Sequence, residues 1–591
     1  MMDSDARVRA VTTYDRNLII VAGAGTGKTS LLIERVLNQV VEQNVELREL
    51  AAITFTEKAA TELRNRLEAG LAELVELACE KRSRDSLDER KESHRAYAYL
   101  AQRVAGEQIE ERAGRALHEL PRARISTIHA FCARILRAYP VEAGVDPSFS
   151  VDEGLTLAAL LEELWEEFLE DEQGPGGRQR DQWGALLRFL DLHELRQIAF
   201  QLGDFSLPFQ PSEPSLPAAT TVLAPCVEAL CQRISALIEE GREPTKGPES
   251  YLDVTRRLLE TLLKDGLPRF REDLASARYE AHKGPKGVLE GSPPTAKAFP
   301  EATECAREAR KLLDQLHTID DELCARVIER VAMFAQRARD EARRRGVLSF
   351  DALLSLTHDL LARDSKVRRR LAAEYRVLLV DEFQDTDPLQ YEIILFLAEA
   401  LDGNPSDDPY ATRLAAGKLF IVGDPKQSIY HFRRADIAAY HRAVAHIEAC
   451  GGQQLPLTTS WRAVQNVLEP LNPLFAALLE PRTESERDIE PGYETMASGR
   501  GTADDGPRVE LWTVGGVGNP QNAERAREAE GEAIADWIAR ECHAGRQAFG
   551  EFAILLRALS QVNLYTRPLR ERGIPFAVES RRDPLSHPEG L

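Results

Sequence analysis

Short runs of apolar residues lie on either side of a long helical middle region, and this pattern predicts an α/β fold. An uninterrupted apolar run is typical of a buried strand, whereas apolar residues that recur every three or four positions indicate a helix. Because the runs are separated by helical segments, we expect them to form a mostly parallel sheet. The strands that this pattern predicts are residues 18–21, 51–56, 124–127, 375–380 and 418–422.

The same pattern predicts how the chain is divided. Residues 1–154 and 341–454 carry these strands, so we expect them to be two parts of one α/β domain, with a charged helical arm at about 71–121. Residues 155–340 are expected to form an inserted helical domain, and residues 455–591 to begin a second α/β unit. The strands predicted for that unit are Val509–Val514, Phe552–Leu556 and Pro575–Val578, and the predicted loops are Leu207–Ala218, His282–Pro300 and 481–507.

Composition and charge narrow the class of protein. Hydrophobic residues make up 43% of the chain and charged residues 29%, as in a soluble globular protein, and no apolar run has the length of a membrane span. The start of the chain lacks the features of a signal peptide, so a cytoplasmic location is expected. The eight cysteines form no C-x-x-C pair, which favours reduced, buried thiols over a zinc or iron–sulfur site. A net charge of −21 argues against a broad DNA-coating surface but is compatible with a narrow basic groove.

The first predicted strand is followed by a glycine-rich loop and then a helix, which is the setting of a phosphate-binding loop. Glycines let backbone N–H groups approach an anion closely, and the N-terminal end of the helix adds positive potential. Lys28 is expected to reach the β- and γ-phosphates of a nucleotide, and the Thr29 hydroxyl to bind Mg²⁺. Ala22 stands where the pattern G-x-x-x-x-G-K-[ST] begins with glycine, so an ordinary glycine-rich turn is the alternative. The residues predicted to hold the nucleotide here are Ala22, Gly23, Ala24, Gly25, Thr26, Gly27, Lys28, Thr29 and Ser30.

Polar residues that follow two later strands supply the other groups that a nucleotide hydrolase needs. Asp381 is expected to hold Mg²⁺, and Glu382 to accept a proton from the attacking water. Gln427 is placed to contact the γ-phosphate, and Arg462 to bring positive charge to the phosphoryl group during transfer. Each has a simpler alternative: a charged strand cap for the two carboxylates, a solvated amide for Gln427, and a surface charge for Arg462.

At this point a series of segments resembles, in order, the superfamily 1 helicases of the UvrD/Rep type. Within that group the chain is most similar to the helicase subunits of RecB/AddA-type recombination nucleases. The two most specific segments read DEFQDTDPLQ and IVGDPKQSIYHFRR. The segments that carry the resemblance are Ala22–Thr29, Ile53–Arg64, Ser126–Cys132, Leu348–Leu353, Asp381–Gln390, Ile421–Arg434 and Leu457–Arg462.

The resemblance implies a RecA-like P-loop fold and an ATP- and Mg²⁺-dependent helicase that moves 3′ to 5′ along single-stranded or partly duplex DNA. It implies that Lys28, Thr29, Asp381, Glu382, Gln427 and Arg462 form the ATPase centre and that Trp461 stacks on adenine. It further implies a role in recombination or repair, in which the possible partner is a nuclease or a second helicase–nuclease subunit. The residues that it places near single-stranded DNA are Phe55, Thr56, Lys58, His129, Tyr430 and Phe432.

Two departures from the family pattern leave alternatives open. Arg7 occupies the position of a glutamine that reads adenine in the family, which puts selectivity for ATP in doubt. No segment resembles the late helicase motifs or a RecB/AddA-type nuclease, so we expect the chain to be the N-terminal part of a longer protein or a truncated product. The alternatives are a module that binds ATP and single-stranded DNA without turnover, a plain UvrD/Rep-like repair helicase, and an NTPase unrelated to nucleic acid.

Overall fold

The computed structural model describes most of the chain, and the helices and strands below are those of the described residues. These are residues 2–79, 87–88, 90–152, 154–174, 177, 179–205, 219–239, 251–276, 300–318, 321–429, 434–479, 492–501, 509–513 and 523–578. The strands are β1 Leu18–Ala22, β2 Leu50–Thr54, β3 Arg124–Thr127, β4 Ser150–Asp152, β5 Val347–Ser349, β6 Val377–Val380, β7 Leu419–Gly423, β8 Gln453–Leu457, β9 Thr459–Ser460 and β10 Ala497–Ser498.

The helices up to residue 503 are numbered in chain order. They are α1 Met2–Thr12, α2 Lys28–Val41, α3 Glu57–Cys79, α4 Glu92–Leu100, α5 Gly106–Glu119, α6 Ile128–Ala138, α7 Pro140–Ala143, α8 Leu155–Gln173, α9 Arg180–Leu186, α10 Leu192–Gly203, α11 Ala219–Glu239, α12 Tyr251–Ser276, α13 Pro300–Thr318, α14 Asp321–Arg345, α15 Phe350–Arg363, α16 Ser365–Glu374, α17 Pro388–Leu397, α18 Ile437–Ala449 and α19 Gln465–Leu478.

Six strands form one fully parallel sheet in the order β3-β2-β6-β7-β1-β8. Five of them are the strands predicted from the apolar runs, so the predicted α/β fold and parallel sheet are confirmed. The second strand is shorter than predicted because Thr56 leaves it to cap α3, where its hydroxyl accepts a hydrogen bond from the Ala59 N–H at 3.1 Å. All six strands run in the same direction, so their carboxyl ends meet at one edge, where ligands bind in open α/β sheets.

Helices cover both faces of this sheet, and the strand residues alternate between the two. Along β1, Leu18 and Ile20 join the hydrophobic cluster built with α2, α3 and α5, whereas Ile19 joins the cluster built with α6, α15 and α17. Phe420 and Ile421 of β7 divide in the same way. Burial on both faces explains why these strands appear as uninterrupted apolar runs in the sequence.

The predicted inserted region is helical in its described parts. Helices α8, α10 and α14 share one core that includes Trp165, Trp183 and Phe334, and α11, α12 and α13 share another. The predicted loop at 207–218 lies outside the described residues. So does the loop at 282–300, except Pro300, which begins α13. Helices α4 and α5, in the predicted arm, contribute Leu100 and Ile109 to the same cluster as α2.

The chain forms two compact units, residues 1–503 and 504–591, and β8 extends the first sheet to Leu457. In the second unit, Ala523–His543 packs against Asn563–Glu571 through Ala535, Ile538 and Leu569. The domain limits at 154, 340 and 454 stay predictions.

The strand predictions for the second unit are wrong for the residues that the structure describes. Residues 509–513, 552–556 and 575–578 are not in strands. Their aromatic side chains pack on a helix instead, since the rings of Trp512 and Phe552 each meet the Trp537 ring edge-on at 5.3 Å. A strand is stable only beside a hydrogen-bonded neighbour, and an apolar pattern cannot show whether a neighbour is present. In the predicted loop at 481–507, the described part contains the short strand β10.

Two other predictions concern the whole chain. Among the described residues no helix is long and apolar enough to cross a membrane. Seven cysteines are described. Cys132, Cys231 and Cys305 are buried as expected, whereas Cys79 and Cys324 are exposed. Burial raises the pKa of the Cys132 thiol to about 12, which makes this side chain an unreactive part of the core.

Candidate active site

The predicted phosphate-binding loop connects β1 to α2 at the carboxyl edge of the sheet. Gly25 and Gly27 adopt left-handed backbone conformations, with φ of +77° and +84°, which only glycine adopts without strain. Within the loop, the Thr26 hydroxyl donates a hydrogen bond to the Gly23 carbonyl at 2.9 Å. The Gly23 N–H donates to the Leu457 carbonyl at 3.2 Å, which ties the loop to the end of β8. Ala22 is buried at the end of β1, whereas Ala24 is exposed.

Lys28, the first residue of α2, forms an ion pair with Glu382. The distance from Nζ to Oε2 is 2.7 Å, although the two residues are 354 positions apart in sequence. Glu382 has a φ of +51°, an uncommon backbone conformation that turns the chain sharply after β6. The structure therefore brings together the predicted phosphate-binding lysine and the predicted proton acceptor.

Two further carboxyl groups flank this ion pair. Burial, together with the negative charge of Glu382, raises the pKa of Asp381 to about 6, and the charge of Lys28 opposes the shift. The pKa of Asp385 is also raised to about 6, by the same causes. The backbone N–H of Asp381 donates to the Ile53 carbonyl at 2.9 Å, so the main chain of Asp381 is anchored to the neighbouring strand β2. Such a concentration of acidic groups is unfavourable unless a cation offsets it.

A hydrogen-bond network joins Glu382 to the turn that carries Gln427. Gln384 Nε2 donates to Glu382 Oε2 at 2.9 Å, and Gln384 Oε1 accepts the Asp424 N–H at 2.9 Å. Asp424 Oδ2 in turn accepts the Gln427 Nε2 hydrogen bond at 2.7 Å, and the second Asp424 oxygen lies 3.0 Å from Lys426 Nζ. Gln427 thus belongs to the same network as Lys28 and Glu382.

The segment after β8 lies directly on the phosphate-binding loop. The Trp461 N–H donates to the Gly25 carbonyl at 2.8 Å, and a Cβ placed on Gly25 would stand 2.6 Å from the Arg462 Cβ. The Trp461 ring lies over Gly499, where a Cβ would come within 2.6 Å of the ring, yet 58% of Trp461 is exposed. Arg462 is also exposed, and its guanidinium forms no ion pair with the residues that the structure describes. Both residues stand beside the loop, with side chains accessible to a ligand.

Arg7 lies at the other side of the loop. Its guanidinium donates to the Thr26 carbonyl at 3.2 Å and lies 4.0 Å from the carboxylate of Glu34, a buried residue of α2. Arg95 of α4 also pairs with Glu34, at 2.9 Å, and contacts the Ser30 hydroxyl at 3.2 Å. Burial raises the pKa of Glu34 despite these two arginines. The residue that departs from the family pattern is therefore at the predicted nucleotide site.

The residues present fit a magnesium ion. In the described part of the chain, no three His, Cys, Asp or Glu side chains are grouped to hold a metal by themselves. Mg²⁺ does not need such a cage, since it usually takes one or two protein oxygens together with water and substrate phosphates. Thr29, next to Lys28, and Asp381 supply a hydroxyl and a carboxylate of this kind.

Four of the six residues predicted to contact DNA are described, and these four lie at the same edge of the sheet. Phe55, Thr56 and Lys58 follow β2, and His129 stands at the start of α6, directly after β3. Because β2 and β3 are neighbours, these two groups lie side by side. Thr56 and Lys58 are exposed, and the His129 ring meets the Phe350 ring edge-on at 5.2 Å. Tyr430 and Phe432 lie outside the described residues.

Several residues of this site received no role from the sequence, and two of them, Gln384 and Asp424, join the predicted groups. Gln384 and Asp424 both lie within motifs that carried the resemblance, but their side chains were not singled out. The available signal was position, because each follows closely on a strand that ends at the ligand-binding edge. The contact between Gly25 and Arg462 left no local signal, since it joins residues from distant parts of the chain.

Comparison with known proteins adds an independent finding. Residues 3–447 match the family model described as the UvrD/REP helicase N-terminal domain. The A-subunit of an ATP-dependent helicase/nuclease from Geobacillus kaustophilus is 26% identical over an alignment of 672 positions, which covers 98% of this chain and 49% of that protein. Proteins of the same name from Anoxybacillus flavithermus and Carboxydothermus hydrogenoformans are each 25% identical to this chain. The first alignment covers 98% of this chain and 50% of the relative, and the second covers 99% and 51%. The chain spans about half the length of the curated relatives it matches.

Proposed function

Because the chain belongs to the UvrD/REP helicase family, we propose that it hydrolyses ATP with Mg²⁺ and uses the energy to move 3′ to 5′ along single-stranded DNA. We place it in the cytoplasm, as the helicase part of an AddA/RecB-like helicase–nuclease that acts in recombination or repair. A nuclease or a second helicase–nuclease subunit is its proposed partner.

Membership of this family confirms two sequence-based predictions. They are the resemblance to UvrD/Rep- and AddA-type helicases and the RecA-like P-loop fold. The assignment to the ATP-dependent DNA helicases, which are enzymes, is part of the proposal. The choice between a helicase–nuclease and a plain repair helicase is part of the proposal.

The observation that carries the proposal is the assembly of one polar site from distant segments. Lys28 is hydrogen-bonded directly to Glu382. Glu382 is connected to Gln427 by a chain of hydrogen bonds that runs through Gln384 and Asp424. Such convergence is what phosphoryl transfer requires, since its catalysis consists of positioning and electrostatic stabilisation.

The geometry supports a sequence of steps. When nucleotide binds, Lys28 leaves Glu382 for the β- and γ-phosphates, and the freed carboxylate can accept the proton of the attacking water. Arg462, next to Gly25, adds positive charge where negative charge develops, and Gln427 responds to loss of the γ-phosphate. Thr29 and Asp381 would hold Mg²⁺, which when bound would stabilise negative charge on the phosphate oxygens.

A structural connection from the nucleotide to the DNA residues also supports the proposal. Asp381 is hydrogen-bonded through its backbone N–H to the carbonyl of Ile53, two residues before Phe55. In the same region, the Thr127 hydroxyl at the end of β3 donates to Glu57 at 2.8 Å. A displacement of the β6 end on hydrolysis would therefore reach the segments proposed to hold bases and phosphates.

The test is steady-state ATP turnover by the chain with and without an oligothymidylate. We expect DNA-stimulated turnover that is lost in Lys28→Ala and retained in Lys366→Ala, a control that removes an exposed lysine on α16, outside the site. Binding of ATP and DNA without turnover would instead identify a non-catalytic module. Turnover that DNA does not change would identify an NTPase unrelated to nucleic acid.

The direction of movement needs its own assay. A 3′ to 5′ translocase displaces streptavidin from biotin at the 5′ end of a single strand and leaves it at the 3′ end. Displacement from the 3′ end alone would contradict the proposed direction while leaving the ATPase assignment intact.

A further inference from the structure

We propose that Gln384 is a positioning residue that couples Glu382, which activates water, to the turn that carries Gln427. The proposal rests on the proposed function and adds a residue to its mechanism. Gln384 lies in the short helical turn Phe383–Asp385 and is only 1% exposed. Its side-chain amide is hydrogen-bonded to Glu382, Asp385 and Asp424, so it acts through the groups that it holds.

The hydrogen bonds of the Gln384 amide fix its orientation. Nε2 donates to Glu382 Oε2 at 2.9 Å and to Asp385 Oδ2 at 3.2 Å, while Oε1 accepts the Asp424 N–H at 2.9 Å. A backbone N–H can only donate, and an ionised carboxylate can only accept. A flipped amide would therefore lose all three hydrogen bonds, which makes this side chain a directional link between β6 and β7.

Gln384 holds both ends of the turn Pro425–Gln427. Its side chain accepts from Asp424 at the start of that turn, and its backbone carbonyl accepts the Ser428 hydroxyl at 3.2 Å just after it. Asp424 in turn positions Gln427, since its carboxylate accepts a hydrogen bond from the Gln427 side-chain amide at 2.7 Å. A shift of Gln384 would therefore move Gln427.

Gly423 shows how closely Gln384 approaches β7. A Cβ placed on Gly423 would stand 2.7 Å from Gln384 Oε1, well inside normal contact distance. The glycine has no left-handed conformation to explain it, and a side chain here would have to displace the Gln384 amide.

The link becomes more important when nucleotide is bound. Lys28 Nζ and Gln384 Nε2 both contact the same oxygen of Glu382, at 2.7 and 2.9 Å. Once Lys28 has moved to the phosphates, Gln384 remains to hold Oε2 and leaves Oε1 for the water. Because the same amide is hydrogen-bonded to both Glu382 and Asp424, a displacement of Glu382 would also move Asp424. The position of the general base and the contact of Gln427 with the γ-phosphate would therefore change together.

The test uses the whole chain with Gln384→Ala, Gln427→Ala and the double variant. Gln39→Ala is the matched control, because Gln39 is 2% exposed and lies on α2 outside this network. We expect Gln384→Ala to lower ATP turnover about 10- to 100-fold, as loss of a supporting hydrogen bond often does, while ADP affinity stays within about twofold of the wild type. Retained ADP binding shows that the variant has folded.

Coupling is decided by the double variant. If Gln384 acts through Gln427, the double variant has the turnover of the lower single variant, because the second change removes nothing further. The proposal would be overturned if the fold losses of turnover in the two single variants multiplied in the double variant, or if Gln39→Ala lost as much turnover as Gln384→Ala. Gln384→Glu keeps the side-chain shape but places a carboxylate against Glu382 and Asp385. It is expected to lose as much activity as Gln384→Ala, and full activity in this variant would also overturn the proposal.

A second readout separates this proposal from the proposed function. The ratio of affinities for a non-hydrolysable ATP analogue and for ADP reports contact with the γ-phosphate without turnover. We expect Gln384→Ala, Gln427→Ala and the double variant to lower this ratio by the same factor. If the wild type did not hydrolyse ATP, the proposed function would fail while this ratio still decided the coupling. An unchanged ratio in Gln384→Ala would refute the coupling alone.

Discussion

Replacing Gly25 with alanine tests whether the segment after β8 really lies on the phosphate-binding loop. Two costs are expected, one from the backbone and one from contact. Gly25 has a φ of +77°, and a Cβ there would stand 2.6 Å from Arg462 Cβ and 2.7 Å from Ser460 Oγ. Gly144 is a matched control, because it has a φ of +65° and a Cβ there would meet nothing within 4 Å.

The control isolates the contact energy. A left-handed alanine costs roughly 1–2 kcal/mol at either position, so this part cancels between the two variants. What remains for Gly25→Ala is overpacking against Ser460 and Arg462, which costs about 1–3 kcal/mol in a well-packed region. Ser460 is only 1% exposed and has little room to move away. The cheapest response is for the segment carrying Trp461 to separate from the loop.

Hydrogen exchange at the Trp461 amide measures that separation without nucleotide. This N–H donates to the Gly25 carbonyl at 2.8 Å, so it exchanges only when the segment opens. A free energy of 1–3 kcal/mol corresponds to exchange about 5- to 150-fold faster in Gly25→Ala than in Gly144→Ala. Equal exchange rates in the two variants would refute the reasoning and, with it, the placement of Arg462 at the phosphates.

Three further predictions address separate parts of the site. Because the pKa of Asp381 is raised from 3.8 to about 6, its contribution to stability is present below pH 4 and is lost as the pH rises through 6. In urea unfolding without nucleotide, Asp381→Asn should therefore be more stable than the wild type by about 1–3 kcal/mol at pH 7.5 and equal to it at pH 4, and a less stable variant at pH 7.5 contradicts this. Arg7→Gln should raise kcat/KM for ATP relative to GTP by up to about tenfold, because glutamine can both donate to and accept from adenine, and an unchanged ratio would remove Arg7 from base recognition. Lys58→Ala should weaken binding to single-stranded DNA and reduce the slope of log K against log[salt] by about 0.7, the contribution of one phosphate contact. Lys366→Ala should change neither the affinity nor this slope.

Local sequence was sufficient where the chemistry follows directly from a strand end. Lys28 and Glu382 each stand just after an apolar run, and the parallel sheet places both at one edge. The prediction of a shared site for these residues needed only the strand pattern and the rule that parallel strands present their carboxyl ends together. The order of the strands was not required.

Local sequence was insufficient where a partner had to be identified. The segments at 509–513 and 552–556 have the apolar pattern of strands, but Trp512 and Phe552 pack on Trp537 of a helix. Burial of an aromatic side chain gives the same pattern in both cases, because the hydrophobic effect has no preferred direction. Backbone hydrogen bonds do have direction, and they are decided by neighbours that the pattern does not name.

The amino-acid sequence by itself determined the parallel α/β fold, the glycine-rich loop between β1 and α2, and the family, since each depends on residues close together in the chain. Only the tertiary structure decided that β6 lies beside β7 and β1 beside β8. That order brings Gln384 within hydrogen-bonding distance of Asp424, and Arg462 against Gly25. These contacts act over about 3 Å, a distance that sequence separation does not encode and that only the packed sheet brings about.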